Sequence, residues 1–180
     1  MSQQRPPVVL LGLMGSGKST IGNRLAQSLD WAFCDTDHEI EKSTGADIPW
    51  IFEKEGEAGF RKREHTALCE ALGRREAVIS TGGGIVELQE NHELLRQSDA
   101  MVVYLAAEPQ ALFERVGQDP NRPLLAQGDA QGTLARLHER RHPWYQDLSD
   151  VVIHTDQMPP KLVVSEIIEK MDARYATSHR

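Results

Sequence analysis

Gly12-Leu13-Met14-Gly15-Ser16-Gly17-Lys18-Ser19 sets three glycines, a lysine and a hydroxyl in the order G-x-x-x-x-G-K-[ST], the spacing of a P-loop. It follows the apolar run Val8-Val9-Leu10-Leu11 and precedes a helix-like segment. A phosphate chain carries several negative charges, and backbone N–H groups wrap it closely only where no Cβ intervenes. Gly12, Gly15 and Gly17 remove that obstacle around Ser16, and a helix starting at Lys18 aims its positive end at the anion. Lys18 supplies a mobile cation for the outer phosphates. Ser19 offers a hydroxyl to Mg²⁺, and Thr20 another to the inner phosphate. The expected ligand is a nucleoside triphosphate.

A second group of residues suits an acceptor. Asp35 and Asp37 end the second strand candidate, where a parallel sheet opens onto its ligand crevice. Asp35 is placed to hold Mg²⁺, directly or through water, and Asp37 to take a proton from an attacking hydroxyl. Asp37 would also cap a helix over 38–43. Gly82, Gly83 and Gly84 end the third strand candidate and would bring bare backbone close to a ligand. Glu64 falls on the apolar face of a helix over 59–72 and needs a partner there. Arg61, one turn earlier, can supply it and be held toward a carboxylate. Arg141 sits on the stripe Leu134, Leu137, Arg141, Leu148 as either a second anion contact or a side chain reaching out to solvent. Pro143 is expected to break or kink that helix.

Two further features read differently. Gly117–Gly132 has little periodicity and carries Arg122, which suits a lid closing a cation over phosphates. His138-Glu139-Arg140-Arg141-His142 matches the zinc-protease motif H-E-x-x-H. Pro143 should disturb the register that aligns the two imidazoles, and no third ligand follows, so we reject the zinc reading.

The elements that must hold these residues are legible. Five continuous apolar runs, Val8–Leu11, Ala32–Cys34, Val78–Ser80, Met101–Leu105 and Val151–His154, indicate a parallel sheet covered on both faces. Helix candidates lie at 18–29, 37–43, 48–55, 59–72, 90–97, 108–116, 132–147 and 160–174. At 180 residues the chain fits a single domain. Twenty Lys plus Arg against 27 Asp plus Glu give a net charge of −7, which excludes sequence-independent nucleic-acid binding. Two cysteines make no disulfide framework, and the N-terminal apolar run is too short for a signal peptide or membrane span. A cytoplasmic protein is expected, and a monomer, for want of a heptad or long exposed apolar stripe.

Taken together the motifs resemble shikimate kinase over about Val8 to Met171. They are the P-loop with Thr20, Asp35-Thr36-Asp37, Glu57-Ala58-Gly59-Phe60-Arg61, Thr81-Gly82-Gly83-Gly84, Arg122-Pro123-Leu124-Leu125 and Arg141-His142-Pro143-Trp144-Tyr145. The resemblance implies a nucleoside monophosphate kinase-like α/β/α fold with strand order 2-3-1-4-5. It implies transfer of the ATP γ-phosphoryl to the 3-hydroxyl of shikimate, in the pathway to the aromatic amino acids. Asp37 would then bind and help deprotonate the acceptor, Arg61 and Arg141 would clamp its carboxylate, and Gly82–Gly84 would line it. Lys18 and Arg122 would stabilise the transferring group, Mg²⁺ would sit on Ser19 near Asp35, and Arg115 would lie against adenine. The loop Thr155-Asp156-Gln157-Met158-Pro159-Pro160 lacks the arginines some family members place over the base, leaving Gln157 as its polar contact. A P-loop kinase for gluconate or a nucleoside monophosphate, and a non-catalytic nucleotide switch, are the alternatives.

Overall fold

The computed structural model describes residues 4–116 and 128–177. Its strands are β1 (Val8–Leu11), β2 (Ala32–Asp35), β3 (Ala77–Ser80), β4 (Met101–Ala106) and β5 (Val151–His154). Its helices are α1 (Lys18–Leu29), α2 (Thr36–Thr44), α3 (Ile48–Leu72), α4 (Gln89–Gln97), α5 (Pro109–Val116), α6 (Ala130–Leu148) and α7 (Pro160–Thr177). The strands form one parallel sheet in the order β2-β3-β1-β4-β5, as expected.

Alternation along the strands divides the interior into two layers. Val9, Leu11, Ile79, Val102 and Tyr104 face one side, against Leu68 of α3, Leu95 of α4 and Leu134 and Tyr145 of α6. Val8, Leu10, Val78, Met101 and Val103 face the other, against Ile21 and Leu25 of α1 and Ile167 and Met171 of α7. Every residue of β1 and β4 is buried, because each strand is paired on both edges and covered on both faces. A third, small core of Ile40, Ile51 and Phe60 joins α2 to α3.

Register brings the strand ends together. Leu10 lies opposite both Ser80 and Val103, and Ser80 lies opposite Asp35. The segments that leave β1, β2 and β3 therefore start side by side at the carboxyl edge of the sheet.

The helices expected at 48–55 and 59–72 are both present, joined end to end within α3 at Gly56, whose φ of 69° and ψ of −178° break the helical path between them. Three expectations change. Asp35, not Asp37, caps α2: its Oδ1 accepts from the N–H of Asp37 at 3.0 Å and of His38 at 3.2 Å. Helix α6 runs through Pro143 to Leu148, much as the candidate over 132–147 had it, so the proline does not break the helix. The carbonyl that loses its helical donor belongs to exposed Glu139, where water can replace the bond. The expected lid narrows at its far end, since Asp129 caps α6 through the Gly132 N–H at 2.9 Å and the helix begins at Ala130. Residues 117–127, with Arg122, lie outside the described residues.

The backbone at Gly56 lies where glycine is nearly the sole occupant, and an added Cβ would meet nothing within 4 Å. Gly56→Ala therefore costs conformational strain alone. We expect about 1–3 kcal/mol of lost stability, read from the denaturant midpoint at unchanged m-value.

Candidate active site

Gly12, Gly15 and Gly17 take φ of 152°, 81° and 95°, curling the P-loop over the N-terminus of α1. Lys18 folds along the loop and donates to the carbonyls of Gly12 at 2.7 Å and Leu13 at 3.0 Å. Ser16 is a buried member of the loop: its N–H closes a turn on Leu13 O at 3.1 Å, and its hydroxyl has no hydrogen-bond partner among the described residues. Gly15, Gly17, Lys18, Ser19 and Thr20 line a cavity of about 360 Å³ together with Asp35, Asp37, Ser80 to Gly83 and Arg115.

At the mouth of the loop, Ser19 Oγ donates to Asp35 Oδ2 at 2.9 Å and lies 3.4 Å from Ser80 Oγ. Two hydroxyls and a carboxylate are the hard oxygen donors that Mg²⁺ takes, so the residues present fit that ion. Ser80 is the member that the sequence reading missed; its register opposite Asp35 is the signal that finds it. Arg115 Nη2 donates to Thr155 O at 2.9 Å and Nη1 to Gly15 O at 3.1 Å, fastening the P-loop to the loop after β5. Gln157 is exposed on that loop and does not line the cavity.

The residues expected to receive the acceptor form a group of buried charges. Arg61 Nη1 donates to Glu64 Oε2 at 2.7 Å, and Nη2 to Glu57 Oε1 at 3.2 Å. The Glu64 side chain is 1% exposed. Its remaining oxygen, Oε1, and Arg61 Nε are buried without hydrogen-bond partners among the described residues. Burial raises the Glu64 carboxyl above its ordinary range and Asp37 adds to this, while Arg61 opposes it. Burial works against the charge on Arg61 too, yet Glu64 and Glu57 together hold that guanidinium above its usual value.

Arg141 does not reach out to solvent. Its side chain is 5% exposed, and Nε donates to Glu87 Oε1 at 2.8 Å, while Glu87 Oε2 takes Arg140 at 2.6 Å. Glu87 was not singled out from sequence, being 54 residues from Arg141. The three glycines collect these groups. A Cβ on Gly82 would fall 2.7 Å from Glu64 Oε1 and 2.9 Å from Asp37 Oδ1, and one on Gly84 would overlap the Arg61 guanidinium. At Gly83 a Cβ would lie 3.5 Å from Arg141 Nη1. The glycine run thus makes room for side chains as well as baring its backbone. Buried Tyr145 secures it by donating its hydroxyl to Gly83 O.

His138 and His142 stack with ring centroids 4.8 Å apart, so α6 keeps their register up to Pro143 and the expected misalignment does not occur. His142 Nδ1 is instead 2.9 Å from the Tyr104 hydroxyl. Among the described residues no three His, Cys, Asp or Glu side chains converge as a metal site.

A family model described as shikimate kinase matches residues 14–172. The chain belongs to the shikimate kinase family. It is 48% identical to the shikimate kinase of Bordetella avium (strain 197N) over 93% of this chain and 79% of that one. It is also 48% identical to the shikimate kinase of Pseudomonas paraeruginosa (strain DSM 24068 / PA7), over 91% and 95%. The solved shikimate kinase from Acinetobacter baumannii in complex with shikimate superposes with a TM-score of 0.90 at 40% identity, covering 94% of each chain. A gluconokinase from Sinorhizobium meliloti shares the fold alone, at 18% identity and a TM-score of 0.58. This shikimate kinase family member is accordingly a phosphotransferase, with ATP as donor.

Gly84→Ala tests the glycine wall. Its methyl group displaces Arg61, so the acceptor KM should rise at least about tenfold while the ATP KM stays within about twofold. Steady-state kinetics with each substrate varied in turn measures both.

Proposed function

We propose that this kinase transfers the γ-phosphoryl group of ATP to the 3-hydroxyl of shikimate, giving shikimate 3-phosphate and ADP. One observation carries the assignment of parts. Asp37, Glu64, Arg61 and Arg141 gather on Gly82–Gly84 beside the P-loop, where an anionic polyol acceptor meets the phosphate end of a nucleotide.

Asp37 is the base in this reading. It takes the proton of the attacking hydroxyl as the oxygen–phosphorus bond forms and the bond to the β-phosphate oxygen breaks. Arg61 and Arg141 receive the acceptor carboxylate, each already aimed by a carboxylate of the protein. The free Oε1 of Glu64 and the backbone of Gly82–Gly84 receive its hydroxyls. Gly12, Gly15 and Gly17 shape the nucleotide cradle, and Lys18 leaves its carbonyl partners for the β- and γ-phosphates. Ser16 belongs to the cradle, and Thr20 faces the inner phosphate.

Ser19 and Asp35, with Ser80 beside them, would hold Mg²⁺, which neutralises phosphate charge as it moves onto ADP. Arg115 lies against the base, and Gln157 is assigned to the base from its place in the loop after β5 alone. Arg122, outside the described residues, is assigned from its motif to close over the transferring group. The proposal extends to a cytoplasmic monomer. Free thiols at Cys34 and Cys69 support the compartment. Exposed large apolar side chains scattered over three elements, Trp50 and Phe52 on α3, Val152 on β5 and Leu162 on α7, support the oligomeric state.

ADP release with Mg-ATP and shikimate, gluconate, AMP or water alone tests the reaction, and turnover should require shikimate. Turnover with gluconate or AMP instead would move the acceptor assignment. Asp37→Asn should lower kcat by about 10²–10⁴ with ATP affinity within about twofold. An equal loss of nucleotide binding would make Asp37 structural. Arg61→Ala should raise the shikimate KM far more than the ATP KM, and an unchanged shikimate KM would remove Arg61 from the clamp.

A further inference from the structure

Away from the phosphoryl-transfer site, one cluster sets a nucleophile against a base. Cys69, exposed on α3, places Sγ 3.6 Å from Nε2 of His65, one helical turn earlier. His65 Nδ1 is in turn 2.7 Å from Asn91 Oδ1 on α4. Asn91 is fully buried, and its Nδ2 donates to Ile85 O at 2.8 Å.

That last bond decides the protons. With Nδ2 committed to a carbonyl, the Asn91 atom facing His65 is an acceptor, so His65 must donate from Nδ1. The neutral imidazole then carries its lone pair on Nε2, the atom that meets the Cys69 thiol. A chance contact on a helix surface would leave the ring free to turn. Here a buried amide, itself anchored to backbone, holds the ring in one orientation and one tautomer.

We propose that Cys69 is a base-assisted nucleophilic thiol and a modification site for low-molecular-weight disulfides. Sγ forms a bond to one sulfur of the disulfide as its proton passes to His65 Nε2. The disulfide bond breaks, and the departing thiolate takes that proton from the imidazolium. One protein thiol and one disulfide become one mixed disulfide and one free thiol; Cys69 is oxidised and the departing half reduced. Asn91 Oδ1 accepts from the transient imidazolium throughout. Cys34 is an internal reference. It is 1% exposed, and burial pushes its thiol up, both of which suppress attack.

The test is to incubate the full chain with oxidised glutathione near neutral pH and locate adducts by intact-mass and peptide mass spectrometry. One glutathione should appear on Cys69 and none on Cys34. Its formation should be at least about tenfold faster than with N-acetylcysteine in the same buffer. His65→Ala should slow the reaction by at least about tenfold, with its folding checked by retained kinase turnover, and Cys69→Ser should give no adduct. Modification of Cys34 first, a rate no greater than the free thiol's, or a His65→Ala protein reacting as fast as wild type would each overturn the proposal. Should His65→Ala not fold, the comparison with N-acetylcysteine decides alone.

Discussion

The structure depends first on the parallel register of β1 with its two neighbours. Val8–Leu11 lends no side chain to the chemistry, yet its pairing with β3 and β4 fixes where three chain segments leave the sheet. One departs as the P-loop, one as the glycine wall, and β2, paired beyond β3, delivers Asp35 and Asp37 beside them. A slip by one residue would turn every strand side chain to the opposite layer and exchange the two cores. Burial of the whole strand makes such a slip prohibitively costly, so the site inherits its geometry from apolar packing.

The charged groups make a different kind of contribution. Glu64 and Arg141 are both buried, and removing two charges from water costs several kcal/mol per ion before pairing recovers it. Their ion pairs with Arg61 and Glu87 are therefore poor candidates for net stabilisation. What they provide is orientation: each arginine is bonded to a protein carboxylate, so in the proposed clamp little reorganisation would remain at the moment of binding. Tyr145 on Gly83 plays the same part for the backbone they face.

Much of this was legible in the sequence because its signals are local. The P-loop is one unbroken motif, the strands are apolar runs, and Arg61 with Glu64 share a helical turn. The misses arise where distance or local geometry decides. Glu87 reaches Arg141, and Asn91 reaches His65, across stretches that carry no short-range pattern. Asp35 takes the cap of α2 from Asp37 because the chain enters the helix two residues earlier than its polarity suggests. Pro143 breaks nothing, since the bond it removes points to water. The glycine run was recognised as close backbone, but only the packed positions of Asp37, Glu64 and Arg61 reveal what its missing side chains admit.

The third core has a consequence of its own. Ile40, Ile51 and Phe60 make a nucleus of three buried side chains, separate from the two layers that flank the sheet. Helix α2 and the first half of α3 therefore form a small unit that Phe60, beyond the bend at Gly56, ties to the second half of α3. Cooperative units with few buried contacts open at lower free energy than the sheet they adjoin. Asp37 stands on this unit, whereas the P-loop stands on the sheet. In the proposed reaction the two halves would thus be mounted on units of different core size, and an acceptor bridging them would act as a local clamp on an opening equilibrium.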